Sequence, residues 1–459
     1  MIKGILFLMM KNALGAGFVR QFVRQDVYLW KCLSNFNFGS SMSKFIFECI
    51  DCKKHYVPDD VEYLCPECSA KQKKMQPLLG LLKCLYDYDK LKKVFTKRLL
   101  RDREETGPAR YIELLPIENA ESIPPLIKNL TPLRVAQNIG HDLGIDELLI
   151  KDCTCLPTAS FKDRASSMVV ACAVEKGIDT VATASTGNAA TALAGMAASA
   201  NMKSVIFVPE SAPKAKLTQI LVYGGKLIPI KGNYDQAFEL SIEACNKFGW
   251  YNRNTAYNPF TVEGKKTAAL EIWEQMDYEV PDWVVVPTGD GVILAGIEKG
   301  FSDLKELGLI DTMPKILIAQ AEGCRPIVDA IELGSDEIKP ELKPSTVADS
   351  ICVGVPRAGR WVMNAMKSCG GAAISVTDEE ILDAISYLGR RIGIFAEPAA
   401  ASAMAALRKA SSKGIISSDE SVVVLITGNG LKDVPAAARS VELPTSIKAE
   451  IGAVEKMLF

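Results

Sequence analysis

"TVATASTGNAATALAGMAASA", residues 180–200, opens as a short run of β-branched and small residues, passes through Ser-Thr-Gly-Asn, and continues as an alanine-rich helical pattern. A strand that ends in a small-residue turn and feeds a helix is the building unit of α/β architecture. The unit recurs along the chain. "ELLIKD", "SVIFVP", "KLIPI", "WVVVPT", "KILIAQ" and "VVVLIT" are short runs rich in Val and Ile, set apart by helix-like segments. Apolar runs with few polar interruptions fit parallel sheets covered on both faces. Ligands in such sheets gather at the carboxyl ends of the strands, where the glycine-rich turns fall here.

Three strand ends run into such turns: "ATASTGNAATALAG" at 182–195, "VPTGDGVILAG" at 286–296 and "LITGNGLKD" at 425–433. Each alone reads as an ordinary left-handed turn or helix cap. None is a dinucleotide fingerprint, because Leu294 stands where a third glycine would follow Gly289 and Gly291. Nor is there a P-loop, since Gly264 and Lys265 of "VEGKKT" lack the upstream glycine. A lone "FKDR", as in "PTASFKDRASSM" at 157–168, would be a helix that begins with charges. Beside these turns it has a second reading. Lys162 follows Phe161, and a lysine among apolar residues is biased toward the neutral amine, which attacks carbonyls. Turns that open helices offer backbone N–H groups to a phosphate monoester. Pyridoxal phosphate needs both.

The totals agree with small-molecule chemistry. The 459 residues are 48% hydrophobic and 24% charged with a net charge of -2, enough for two or three domains and without a basic block for nucleic acid. Only His55 and His141 occur, which disfavours histidine-based triads and metal sites. Thirteen scattered cysteines do not resemble a secreted disulfide framework, so the expected compartment is reducing, the cytoplasm. No apolar run approaches the roughly 20 residues that span a bilayer. Residues 1–43, with "MIKGILFLMM" and a second methionine at Met42, read as a leader or an over-long start.

Residues 44–70 hold Cys49, Cys52, Cys65 and Cys68, spaced C-x2-C-x12-C-x2-C. Four thiolates on two tight turns suit tetrahedral Zn²⁺, with iron, an oxidised pair or four unrelated thiols as alternatives. His55, inside the loop, reads as a neutral surface residue. A ribbon this short needs its metal to stand, which makes it a structural staple. A helical and linker segment follows at 71–130, carrying "DKLKKVFTKRLLRDREETG"; the catalytic region is expected at 131–445 and a tail at 446–459.

"TPL", "PTASFKDRAS", "ASTGNAA", "VEGKKTAALEIW", "GDG", "AEPAAASA" and "TGNGLKD" occur in that order. This ordered set resembles the fold-type II pyridoxal-phosphate enzymes, and among them the threonine synthases most closely; "ARYIELLPI" and the ribbon resemble the amino-terminal part of some of these. The resemblance implies two interleaved, doubly wound parallel-sheet domains of the tryptophan synthase β-like fold. It implies that Lys162 holds the cofactor aldehyde and shuttles protons, and that Asn188 bonds the ring hydroxyl. Thr288, Gly289, Asp290, Gly291 and Val292 would cradle the cofactor phosphate, and Thr427 would face the pyridine nitrogen. Ser185, Thr186 and Gly187 would take the substrate carboxylate. The implied reaction turns an amino-acid phosphate, O-phospho-L-homoserine, and water into L-threonine and phosphate, in a homodimer. Relatives on the same scaffold that use phosphoserine and sulfite, or dehydrate serine or threonine, are the alternatives.

The chain departs from the family pattern twice. Many threonine synthases carry an arginine after "NPY", whereas "NPFTVEGKKT" has Thr261 there. Arg253, Lys214, Lys216, Lys265 and Lys266 can supply the missing charge, with a solvated surface the expected place of most of them. Asp290 puts a negative charge in the phosphate turn, which requires its side chain to point away or to cap a helix.

Overall fold

The computed structural model describes residues 43–210, 212 and 214–458, with the side chains of 214–216 excepted. The leader expected at 1–43 lies outside the described residues but for Ser43. In chain order, strands β1 (Phe45–Cys49), β2 (His55–Tyr56) and β3 (Leu82–Tyr86) form an antiparallel sheet, order β2-β1-β3. The ribbon thus draws its third strand from beyond residue 70, where the spacing of the cysteines had ended it. The charged stretch at 89–107 is two short helices, Tyr88–Leu91 and Lys97–Asp102, because Thr96 caps the second through Leu99 N (3.1 Å).

Beyond the ribbon come β4 (Leu133–Val135) and β5 (Leu148–Asp152), then β6 (Thr180–Ala184), β7 (Lys203–Pro209), β8 (Lys226–Ile230) and β9 (Tyr251–Asn252). Last come β10 (Trp283–Pro287), β11 (Lys315–Ala321), β12 (Gly371–Val376) and β13 (Val422–Ile426). They make a six-stranded sheet, order β12-β11-β10-β13-β5-β4, and a four-stranded sheet, order β8-β7-β6-β9. All pairs are parallel except β4 with β5 at one edge. The small sheet is inserted between β5 and β10 of the large one, so the two α/β layers are interleaved in sequence.

Alternation of side chains across the strands divides the core. Val284, Val286, Ile316, Ile318, Val423 and Leu425 face one apolar cluster; Val285, Leu317, Ala319, Val424 and Ile426 face another. Helix Pro398–Ser412 covers the second face with a stripe of buried alanines. On the other side, helices Phe260–Gln275 and Val292–Glu306 approach closely because Gly296 and Gly300, one turn apart, have no side chain. A Cβ on Gly296 would stand 2.5 Å from Lys265 Cβ, and one on Gly300 2.7 Å from Lys266 O. Among the described residues no helix is long and apolar enough to cross a membrane.

Candidate active site

Five strand ends meet at the site. β5 leads to Lys162, β6 to Ser185–Asn188, β9 to Arg253, β10 to Thr288–Val292 and β13 to Thr427. Lys162 is the first residue of helix Lys162–Glu175. The turn before it is pinned to the turn after β13. Phe161 N donates to Thr427 O (2.8 Å), Asn429 N donates to Ala159 O (3.0 Å), and Ser160 bridges Gly428. Ala159 takes a left-handed φ of 65°, an uncommon conformation for a residue with a Cβ, and Asp163 holds the turn by accepting from Thr158 N (2.7 Å).

Phe161 is fully buried, and Lys162 beside it is half-buried. Protein surrounds its ammonium closely enough that burial lowers its pKa; Glu397 opposes that shift, and Arg253 adds to it. An amine so placed is neutral over a wider pH range than a free lysine, and is a nucleophile and a base. Burial likewise pushes Asp163 up to about 6.

A residue not singled out in the sequence stands opposite. Glu397 occupies the N-cap of helix Pro398–Ser412, yet its side chain makes no capping bond and turns into the site. Asn188 Nδ2 donates to both its oxygens (3.2 and 2.9 Å) and approaches Ser350 Oγ (3.3 Å). Gly428 leaves the room this carboxylate needs, because a Cβ there would lie 2.2 Å from Glu397 Oε1. Burial raises the Glu397 carboxyl, with Lys162 and Asn188 acting against it. "AEPAAASA" put Glu397 on the page, but its partner lies 209 positions away. A cavity of ≈ 290 Å³ opens here, lined by Asn188, Gln219, Ser350, Glu397 and Lys432 among others.

Ser185, Thr186 and Gly187 form the half-buried turn ahead of helix Asn188–Ser199, with Gly187 N on Ser185 Oγ (3.2 Å). The turn Thr288–Val292 opens helix Val292–Glu306, and its glycines are demanded by geometry. Gly291 has φ 86°, and a Cβ on Gly289 would stand 2.7 Å from Ile351 Cα. Bare amides at a helix N-terminus could hold a phosphate. Asp290 points out of that turn: its Oδ1 accepts from Arg357 N (3.1 Å), just ahead of helix Gly359–Cys369. Thr427 is buried at the end of β13.

The expected solvated surface is wrong for three of the five candidate cations. Arg253, Lys265 and Lys266 are all buried. Helix Phe260–Gln275 is enclosed on every side from Phe260 to Trp273, so the charges of Glu263, Lys265, Lys266 and Glu271 are internal. Helix Lys214–Val222 starts at Lys214, whose side chain, like that of Lys216, lies outside the described ones. Thr261 turns its hydroxyl to Asn258 O (2.7 Å).

In the ribbon the four Sγ atoms of Cys49, Cys52, Cys65 and Cys68 lie within 4.8 Å of one another. Cys49–Cys68 is 3.8 Å and Cys52–Cys65 is 3.7 Å. A tetrahedron with Zn–S bonds of about 2.3 Å has edges of about 3.8 Å, so the set could hold zinc. His55 is a half-buried residue of β2 with Nε2 3.4 Å from Glu48 Oε2.

Comparison with known proteins agrees with this geometry. The family described as pyridoxal-phosphate dependent enzyme matches residues 126–428. A threonine synthase of Methanocaldococcus jannaschii is 39% identical over 411 residues, 89% of this chain and 98% of that one. Another, of Methanosarcina acetivorans, is 39% identical over 413 residues, 90% and 98% of the two chains. In structure the chain is similar to a processed threonine deaminase from Solanum lycopersicum (TM-score 0.60, 20% identity, 78% and 95% of the chains). It is also similar to maize serine racemase (TM-score 0.58, 22% identity, 66% and 88%), which fixes the fold. The chain therefore belongs to the pyridoxal-phosphate dependent enzymes and, within them, to the threonine synthases.

Proposed function

We propose that this chain converts O-phospho-L-homoserine and water to L-threonine and inorganic phosphate. The observation that carries the reading is the desolvated Lys162 at the junction of five strand ends, faced by the Asn188–Glu397 pair. The residues present fit pyridoxal phosphate: an amine, a side-chain amide, and a turn with bare N–H groups at a helix start. Bound there, the cofactor supplies an electron sink for the pair left on the substrate's Cα.

Lys162 Nζ is both the attachment point and the base that takes the Cα proton and moves the Cβ proton. The Ser185–Gly187 turn and the amides behind it bind the substrate carboxylate, which orients the Cα–H bond. Asn188, held by Glu397, would meet the ring hydroxyl, and the Thr427 hydroxyl would face the ring nitrogen. Thr288–Val292 would hold the cofactor phosphate. The Cγ–O bond breaks with its electron pair leaving on phosphate, and Cγ gains a proton to become the methyl group. Water oxygen bonds to Cβ as one of its O–H bonds breaks, with the proton passing to the departed phosphate, and Cα is reprotonated. Zinc in the four-cysteine ribbon is read as structural. By analogy with the family the working unit is a homodimer, and the unpaired cysteines suit the cytoplasm.

The test is product analysis of cofactor-loaded protein given O-phospho-L-homoserine, beside O-phospho-L-serine with sulfite. Threonine and phosphate in equal amounts from the first substrate are expected. Turnover of the second substrate alone would overturn the reading.

A further inference from the structure

Among the cations that could stand in for an arginine at Thr261, the structure distinguishes. Lys266 is neutralised, bound by Glu263 and by Asp303 (2.8 Å). Arg253 and Lys265 are not. Arg253 is 0% exposed; its Nε donates to Ser166 Oγ (3.1 Å), while Nη1 and Nη2 find no hydrogen-bond partner. Lys265 is 2% exposed, and Thr255 Oγ1 at 3.5 Å is a contact at the limit of a hydrogen bond. Asp290 is a carboxylate that acts on both, and its Oδ1 already takes the Arg357 amide.

Buried charges without partners and buried N–H groups without acceptors persist in proteins where something outside the chain completes them. These two sit beside the reacting centre. Arg253 follows β9 and is tied to β6 through its amide on Ala182 O (2.8 Å). Lys265 lies against Gly296, in the helix that the glycine turn opens. Burial lowers Arg253 to about 10 and Lys265 well below the usual lysine range, with Arg253 and Lys162 adding to the Lys265 shift. A guanidinium fork with both ends free and an ammonium beside it match a tetrahedral dianion, whose several oxygens accept from both. Lys265 is also one helical turn after Thr261, on the same helix face.

We propose that Arg253 and Lys265 form a buried seat for a phosphomonoester dianion and supply the charge that Thr261 does not. This rests on the reading that the cleft handles phosphate esters. Two phosphoryl groups qualify, that of the cofactor and that of the substrate, and the test separates them.

Lys265→Gln and Arg253→Gln would be compared with wild type and with Lys265→Arg. Cofactor-free protein is titrated with pyridoxal phosphate and with pyridoxal by fluorescence, and cofactor-loaded protein with inorganic phosphate by calorimetry. The expected result is a loss of about tenfold or more in one of the phosphate titrations, recovered in Lys265→Arg, with pyridoxal binding unchanged. A loss confined to pyridoxal phosphate makes the cofactor the occupant; a loss confined to inorganic phosphate makes it the substrate. Both titrations within twofold of wild type, in variants that melt as wild type does, overturn the seat. Should a glutamine variant not fold, unaltered cofactor-loaded and cofactor-free proteins decide. Phosphate binding to neither, or no more tightly than acetate, overturns the proposal. Phosphate dependence without threonine formation would refute the reaction and leave the seat standing.

Discussion

Lys265 and Lys266 are neighbours on one helix, and both are buried. Lys266 lies in a closed network. It meets Glu263 and Asp303, Lys299 meets the same Asp303, and Tyr86 and Tyr88 from the ribbon side donate to Glu263 (2.6 Å) and Asp303 (2.6 Å). Lys265 faces Arg253 and Lys162, with Asp290 acting against them but not paired to it. One residue step turns the side chain about 100° around the helix, from a region that holds the fold to one that holds ligands. Arg164 repeats the lesson two positions after Lys162, since it lies in a bidentate pair with Glu271 (2.6 and 2.7 Å) that Lys151 joins at 2.7 Å. In this chain buried charge with partners marks architecture, and buried charge without them marks chemistry.

The largest effect that would break this contrast is at Lys162. Lys162→Ala should lower threonine formation by about 10³-fold or more and leave the melting temperature of the cofactor-free protein within a few degrees of wild type. A matching fall in stability would make Lys162 part of the architecture. Next is Asp303→Asn, which leaves two buried ammonium groups, Lys266 and Lys299, to share the one carboxylate of Glu263 and should cost about 3–5 kcal/mol in denaturant unfolding. Lys265→Met should cost the cofactor-free protein nothing, or stabilise it; equal penalties for the two would erase the distinction.

Glu397→Gln keeps the shape but weakens the grip on Asn188. Loss of a charged hydrogen bond, about 1.5–3 kcal/mol, should appear as a tenfold or greater fall in kcat and a changed visible spectrum of the bound cofactor. A pure KM effect would place Glu397 among substrate contacts. Removing metal from the ribbon, by chelator or by Cys52→Ser, should abolish the one expected zinc per chain and lower thermal stability, and metal analysis beside a melting curve checks both.

The smallest effect is on pH dependence. Burial holds Lys162 and Lys265 below the ordinary lysine value of 10.5, so between their lowered values and 10.5 the unfolded chain binds more protons than the folded one. Stability of the cofactor-free protein should therefore rise with pH through that window, by at most about 1.4 kcal/mol per pH unit for each proton. Lys299 works oppositely, being held well above 10.5 by Asp303 and Glu263 against its own burial, so its contribution is lost only at higher pH. Unfolding curves from pH 7 to 10 should lose part of the upward slope in Lys265→Met.

Much of the fold was legible because it is local. Each of the seven strand runs read from the sequence is a strand, and the three glycine turns fall at strand ends, where period and turn chemistry write themselves into neighbouring residues. What was not legible depends on distance. β12, "GAAISV", has small residues and little β-branching, and β9 is two residues long. The third ribbon strand follows a gap that cysteine spacing does not measure. The Asn188–Glu397 pair and the Tyr86–Glu263 bond join residues 209 and 177 positions apart, so no window of sequence contains them. Lys265 and Lys266 look alike in "VEGKKT", and only the packing of two helices through Gly296 and Gly300 gives them different surroundings.

The central claim, that the unpartnered lysine at the strand junction is the one that takes the cofactor, is tested most directly by borohydride reduction of pyridoxal-phosphate-loaded protein followed by peptide mass spectrometry. The account predicts a reduced pyridoxyl group on Lys162, in about one copy per chain at saturation. Modification of Lys265 or Lys432 in its place, or none in a protein that still makes threonine, would contradict it.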